Sequence, residues 1–113
     1  MRFRPEVNGL ARRPAAALEP LGPDQLVHGD LTRNVLFAPG LPPAVIDVSL
    51  YWRPPAYAEG VVVADALCRH GASASLLDAA GVPAAAARAL LFRMATGDGE
   101  ARRYERAASA IGV

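Results

Sequence analysis

The chain begins with short apolar runs separated by turn residues and continues with longer stretches of helical periodicity. Leu26 and Val27 form a brief apolar pair that predicts a short strand. The runs VLFA (35–38) and AVIDV (44–48) predict two further strands. Because the linker PGLPP between them consists largely of turn residues, the segment 35–48 is predicted to be a β-hairpin.

From Ala56 onward the apolar positions follow a helical period. One predicted face carries Tyr57, Val61, Ala64, Leu67 and Cys68. Gly71 is placed to end this helix. Further helices are predicted over 73–80, over 83–97, where a proline begins the segment and a glycine ends it, and over 100–112.

Residues 1–25 are predicted to be an irregular N-terminal arm, because four prolines interrupt any long helix. A short helix around 15–19 is compatible with this arm. The segment SLYWRPPAY (49–57) is predicted to be a loop. The predicted fold class is α+β, in which residues 26–113 form one domain with a hairpin and its preceding loop packed on a helical part at 56–112.

Composition narrows the possible protein classes. The chain has 113 residues, of which 52% are hydrophobic, so it can bury a core and is too apolar for a disordered segment. Its net charge of +1 is spread without a basic block, which disfavours a nucleic-acid partner. No apolar run is long enough to span a membrane, and the start lacks a secretory signal. The single Cys68 fits a reducing compartment, hence a cytoplasmic location.

The polar segment HGDLTRN (28–34) lies between two apolar runs and carries the candidate chemistry. Asp30 and Asn34 precede the first strand of the hairpin, and Asp47 lies near the end of the second strand. Because a hairpin returns the chain to its start, these three residues are expected to converge. Carboxylate and amide oxygens are ligands that Mg²⁺ prefers, and an additional aspartate can accept a proton. This set of groups is the one that phosphoryl transfer requires.

The segments LVHGDLTRNVLF and PPAVIDVS resemble the catalytic core of the aminoglycoside phosphotransferase and choline kinase-like superfamily. The resemblance implies the C-terminal lobe of a kinase-like fold that uses ATP and Mg²⁺ to phosphorylate a small-molecule hydroxyl. It implies that Asp30 is the catalytic aspartate and that His28 supports the loop. It further implies that Asn34 and Asp47 bind the metal and, through it, the nucleotide cofactor. The segment RPPAYAEGVVVADAL is similar to the stretch that opens a helix in this family.

The sequence departs from the family pattern in several places. Three residues separate Asp30 from Asn34, where four are usual, and Val48 and Ser49 follow Asp47. No glycine-rich phosphate loop precedes the motif, and all 12 basic residues are arginine, so the chain has no ATP-anchoring lysine. The prediction is therefore a fragment corresponding to the C-terminal lobe. The alternatives are a non-catalytic remnant or interaction module and, with less support, a small metal-dependent hydrolase.

Several other residues allow two interpretations. The aromatic residues Tyr51, Trp52 and Tyr57 either line a substrate pocket or pack a proline-rich loop onto the core. Asp65 either orients the catalytic loop or lies on a helix surface, the latter being favoured. His70 is predicted to favour a helix dipole, and Cys68 to be a small core residue. Thr32 or Arg33 is a candidate for a phosphate contact, and the alternative, equally favoured, is that Arg33 is a solvated loop residue. A solvated helix face is predicted for Arg102, Arg103 and Arg106.

The hairpin side of the domain is expected to expose apolar side chains. If no second lobe covers it, Leu36, Phe37, Val45, Ile46 and part of the 49–55 segment lie at or near solvent. Contiguous apolar surface of this kind is typical of an interface. The expectation is self-association, or a separately encoded partner, through the hairpin side, unless the arm of residues 1–25 covers it.

Overall fold

The computed structural model describes residues 3–97 and 99–113, which form an α+β fold with two small antiparallel sheets beside a helical body. The order of elements in the chain is α1 (Pro5–Asn8), α2 (Arg12–Ala15), β1 (Gln25–His28), β2 (Val35–Leu36), β3 (Ala44–Val45), β4 (Leu50–Arg53), α3 (Pro55–Arg69), α4 (Ser75–Ala80), α5 (Pro83–Thr96) and α6 (Ala101–Ile111). The longest of these helices has 15 residues. Within this part of the chain, no helix combines the length and apolarity that a membrane crossing needs.

Helices α3, α5 and α6 pack against one another and form the core. Prolines occupy the first turns of α3 and α5, where the missing amide proton costs nothing. The predicted apolar face of α3 is confirmed, because all five of its residues are buried. Gly60 brings α3 against the start of α5, since a Cβ there would lie 2.4 Å from the backbone carbonyl of Ala85. This contact lets the two longest helices pack backbone to backbone.

The predicted helices near the C-terminus are confirmed with small shifts at their ends. Helix α4 begins at Ser75, two residues after its predicted start, and ends before Gly81, which adopts a left-handed φ of 67°. Helix α6 carries Tyr104 and Ile111 on its buried face and ends before Gly112 in the same conformation. Glycine is suited to both positions because it has no Cβ to clash in this region.

The hairpin prediction is confirmed in a shortened form. Strand β2 pairs antiparallel with β3, in the register Val35 with Val45 and Leu36 with Ala44. The prediction of a loop over 49–57 is wrong, because β4 pairs antiparallel with β1 and α3 already starts at Pro55. Aromatic residues favour strands, and Tyr51 and Trp52 form one here because the backbone of β1 pairs with them.

The N-terminal arm is not wholly irregular, which corrects the prediction for residues 1–25. It forms two single-turn helices, and the predicted helix at 15–19 is replaced by α2, which ends at Ala15. Val7 and Ala11 are spaced four residues apart and are both buried, so the arm contributes a small apolar face to the core. The Arg13 guanidinium donates hydrogen bonds of 2.9 and 2.6 Å to the Val113 carbonyl oxygen. The arm therefore packs on the helical body, where α2 contacts α5.

Candidate functional site

The polar loop after β1 is held by hydrogen bonds from its own side chains. The backbone amide of Asp30 donates to His28 Nδ1 over 3.0 Å, and the Asn34 side-chain amide donates to the Asp30 carbonyl oxygen over 2.7 Å. Because His28 Nδ1 accepts a hydrogen bond, the ring hydrogen of the neutral imidazole lies on Nε2, which donates to the Ile46 carbonyl oxygen at 3.3 Å. His28 thus connects the loop to the hairpin and leaves the Asp30 carboxylate available.

Gly29 allows the loop to lie directly against an aromatic ring. A Cβ at this position would lie 2.7 Å from Tyr51 Cδ2, which is closer than side-chain atoms approach. The Gly29 amide also donates to the Ser49 carbonyl oxygen over 2.8 Å, which extends the β1–β4 pairing by one residue. The glycine of the HGD segment therefore has a steric role, since it lets Tyr51 buttress the backbone next to Asp30.

The hairpin brings Asp47 to the end at which Asn34 lies. The Ile46 amide donates to the Asn34 carbonyl oxygen over 2.9 Å, so Asp47 directly follows the residue that is paired with Asn34. Arg33 and Asp47 both adopt left-handed backbone, with φ of 68° and 48°. Such conformations are uncommon for residues other than glycine and cluster at functional sites. Arg33 and Asp47 thus lie on either side of the hydrogen-bonded Asn34–Ile46 pair, which joins the loop to the hairpin.

The side chains of Asn34 and Asp47 carry the types of oxygen atom that Mg²⁺ binds in proteins. Among residues 3–97 and 99–113, no three His, Cys, Asp or Glu side chains gather into a metal site made by protein alone. The Asn34 side-chain NH₂ group donates to the Asp30 carbonyl oxygen, so the Asn34 side-chain oxygen has no part in that bond, and the Asp47 carboxylate is exposed. One carboxylate with substrate phosphates is a usual environment for Mg²⁺.

Asp65 and Arg93 form a buried ion pair behind the loop, which corrects the prediction that Asp65 lies on a helix surface. Asp65 is only 3% exposed, and Arg93 Nε and Nη2 donate to its two carboxylate oxygens at 2.9 Å each. The hydrogen bonds that Arg93 donates to Asp65 raise the pKa of Arg93 above its usual value. Arg93 Nη2 also lies 3.7 Å from Asp30 Oδ1, so it links the helical core to the loop.

Arg93 was not predicted to be a site residue, although its position on an apolar helix face indicated a buried partner. Arg93 lies in α5 one position before the buried Met94 and three after the buried Leu90. A charge on an apolar helix face calls for a buried partner, and Asp65 on the apolar face of α3 has the opposite charge. Considering the two helices together would have predicted the pair.

The three aromatic residues near β4 divide between two environments. Tyr57 is buried and meets Phe92 edge to face, with ring centroids 6.5 Å apart, and its burial raises its pKa. Tyr51 and Tyr57 both line a cavity of about 250 Å³, together with Leu18, Arg53, Arg88, Leu91 and Phe92. Trp52 is 61% exposed on the opposite face of β4. The pocket interpretation therefore suits the two tyrosines and does not extend to the tryptophan.

The hairpin side exposes apolar side chains, as expected. Phe37 is 78% exposed. Eight further large apolar side chains between residues 26 and 52 are 39–69% exposed, namely Leu26, Leu36, Leu41, Val45, Ile46, Val48, Leu50 and Trp52. The register pairs Leu26 with Trp52, so at least these two share one sheet face. Since the N-terminal arm packs on the helices, it does not serve as the cover for this surface.

Thr32 adds an unpaired polar atom to the loop. Its Oγ1 is buried and has no hydrogen-bond partner among the described residues. Buried hydroxyl groups in native proteins are almost always satisfied by protein, water or ligand. Thr32 Oγ1 is thus a buried hydroxyl of the 28–34 loop without a partner among the described residues.

Cys68 is a core residue, as predicted, and its thiol is expected to react slowly. Burial, followed by the nearby Asp65 charge, raises the pKa of the Cys68 thiol to about 11. Because only the thiolate reacts, we expect alkylation by iodoacetamide at pH 8 to be slower than for an unfolded thiol by on the order of 100-fold. The measurement is mass spectrometry of the folded chain against the chain in concentrated urea. Equal rates in the two states would contradict the burial of Cys68.

No protein-family model, curated protein or solved structure matches this chain.

Proposed function

We propose that this chain carries the catalytic-loop half of an ATP- and Mg²⁺-dependent phosphotransferase of the aminoglycoside phosphotransferase-like type, acting on a small-molecule hydroxyl. The observation that carries the proposal is the connected loop and hairpin. His28 and Asn34 fix the backbone of Asp30, while the Asn34–Ile46 pair brings Asp47 to the same end of the hairpin. The proposed location is the cytoplasm, which suits a protein with a free cysteine and a nucleotide substrate.

Each residue has a proposed role in the transfer. Asp30 orients the acceptor hydroxyl and takes its proton. Asn34 and Asp47 hold the metal that accompanies the nucleotide phosphates, and bound Mg²⁺ supplies neutralisation of phosphate charge. His28 keeps the loop in shape through its bonds to Asp30 and Ile46. Arg93 holds the Asp30 carboxylate near the helical core, which restricts where the hydroxyl can bind.

A non-catalytic interaction module is the second candidate function, and the exposed hairpin side favours it. Nine large apolar side chains at 26–52 are at least 39% exposed. Apolar surface of this extent is typical of interfaces. In this alternative the hairpin side binds a second copy or a separately encoded partner, and the polar loop serves only to shape the surface.

Metal–nucleotide binding tests the proposal directly. Mn²⁺ can replace Mg²⁺ and broadens the NMR signals of nearby amides. With Mn²⁺ and ATP, we expect broadening at 30–34 and 46–48, because Asn34 and Asp47 would hold the ion. Asp47→Asn should remove the broadening, whereas Asp78→Asn, which changes an exposed aspartate on α4, should leave it unchanged. Broadening that ignores Asp47→Asn would refute the metal assignment.

We expect no appreciable ATP-dependent transfer by these 113 residues alone, because they contain neither a lysine nor a glycine-rich phosphate loop. Release of ADP in the presence of a panel of small alcohols and amino sugars measures this. Robust turnover that Asp30→Asn abolishes would overturn the expectation of an incomplete site, and would establish the chain as an enzyme.

A further inference from the structure

Five arginines gather around two adjoining pockets on the side of α6. The larger pocket, of about 510 Å³, is lined by Cys68, Arg69, Gly71, Arg102, Arg103 and Arg106. The smaller one, of about 360 Å³, shares Cys68, Arg69 and Arg103 with it and adds Arg33, His70, Gly99 and Tyr104. The sequence spreads these residues over the loop, the end of α3 and the start of α6. Only folding brings them together, so their convergence was not apparent from the sequence.

Among the residues that the structure describes, most of the positive charge in these pockets has no counter-charge. Arg102 pairs with Glu100 over 2.7 Å. For Arg69, Arg103 and Arg106, no ion pair to a carboxylate exists within the described residues. Arg106 Nη2 donates to the Leu67 carbonyl oxygen at 3.5 Å, which orients the guanidinium without neutralising it. The whole chain carries a net charge of only +1, so the pockets concentrate charge that the rest of the surface balances.

Two features of the surrounding backbone and side chains leave the positive potential in place. Arg102 and Arg103 lie in the first turn of α6, where the positive end of the helix dipole adds to their charge and is partly offset by the N-cap residue Glu100. Cys68, which forms part of both pockets, is held as a neutral thiol by its raised pKa. Neither feature offsets the mutual repulsion of the arginines, which an anion would relieve.

We propose that this arginine pocket binds a small molecule through a diphosphate group. A single phosphate group carries about 1.5 to 2 negative charges at neutral pH, which is less than the charge of three unpaired guanidinium groups. Two linked phosphates match that charge, and the guanidinium fork suits phosphate oxygens. Proteins that bind single-stranded nucleic acid offer exposed aromatic side chains on which the bases stack. Tyr104, the one Phe, Tyr or Trp residue among the described lining residues, is buried, so single-stranded nucleic acid is a poorer match.

This site is separate from the proposed metal–nucleotide site. The lining residues that the structure describes include none of His28, Asp30, Asn34 and Asp47, and no carboxylate that would bind a metal. Arg33 connects the two, since it belongs to the catalytic loop and also lines the smaller pocket. Binding in the arginine pocket therefore should not require Mg²⁺, which distinguishes the two sites by experiment.

The test is calorimetric titration of the full chain with inorganic pyrophosphate in the presence of EDTA. We expect saturable one-to-one binding, weaker binding of orthophosphate, and about a tenfold loss of affinity for Arg103→Gln or Arg69→Gln, because each removes charge-assisted hydrogen bonds. Arg12→Gln is the matched control, since Arg12 is an exposed arginine that lines neither pocket. Asp47→Asn should leave pyrophosphate binding unchanged even if it abolishes metal–nucleotide binding.

Three results would overturn the proposal. The first is the absence of pyrophosphate binding by the folded chain. The second is an equal loss of affinity in Arg12→Gln and Arg103→Gln, which would indicate non-specific attraction. The third is preferential binding of a single-stranded oligonucleotide that pyrophosphate does not displace. Circular dichroism of each variant confirms that a loss of binding comes from a folded protein.

Discussion

Replacing Arg93 by methionine is expected to lower the free energy of unfolding by about 3–5 kcal/mol, the usual cost of removing one partner of a buried ion pair. The variant would leave the Asp65 carboxylate, which is 3% exposed, without either of its two hydrogen bonds from Arg93. Asp65→Asn should cost less, because the Arg93 side chain is 20% exposed and lies 3.7 Å from Asp30, which offers it another partner.

Urea unfolding followed by circular dichroism measures these differences. Arg88→Met is the matched control, since Arg88 lies on the same helix but is exposed, and it should change stability by less than about 0.5 kcal/mol. The double variant Asp65→Leu with Arg93→Met should regain much of the loss, because it removes both buried charges together. If Arg93→Met were as stable as Arg88→Met, the ion pair would not be a structural element of the fold.

Replacing Gly60 by alanine is expected to destabilise the protein by about 2 kcal/mol, since overpacking in a close-packed interior typically costs 1–3 kcal/mol. A Cβ at Gly60 would lie 2.4 Å from the carbonyl carbon and oxygen of Ala85, and these backbone atoms cannot rotate away. Helices α3 and α5 would have to move apart at the centre of the core. The higher helix propensity of alanine, worth about 1 kcal/mol, only partly offsets that cost.

Gly9→Ala is the matched control for this substitution. Gly9 has helical dihedral angles, φ −67° and ψ −40°, and a Cβ there would meet nothing within 4 Å. Alanine at this position should therefore raise the free energy of unfolding by about 0.4–1 kcal/mol, because it lowers the conformational entropy of the unfolded chain. Thermal melts of the two variants give opposite signs if the α3–α5 contact is as close as described. A melting temperature for Gly60→Ala at or above that of the original protein would contradict it.

The elements that the sequence predicts well are those determined by local signals. Helix α5 begins with Pro83 and ends before Gly97, and its predicted span over 83–97 differs from the observed one by one residue. The hairpin was predictable because its turn residues lie between two apolar runs. The loop residues His28, Asp30 and Asn34 were recognised through a motif, and their mutual hydrogen bonds agree with a shaped loop.

The elements that were missed depend on contacts between distant parts of the chain. Strand β4 exists because β1, more than 20 residues earlier, supplies its hydrogen-bond partners. Asp65 was assigned to a surface because a single helix cannot show that Arg93 lies across from it. The arginine pocket requires α3 and α6 to pack together before its charges meet. In each case the deciding interaction is tertiary, and local propensity carries no information about it.

The position of the core has a consequence for the order in which parts of the molecule open. Residues 22–50, which include the 28–34 loop and the hairpin, contribute no side chain to the main hydrophobic cluster. A region with few buried apolar contacts exchanges its amide hydrogens through local openings that leave the rest folded. We therefore expect the segment with Asp30 and Asp47 to open at a lower free energy than the helices. A ligand or partner that binds this segment stabilises it by the free energy of binding. Slower hydrogen exchange of the hairpin amides would therefore detect binding before any change in global unfolding.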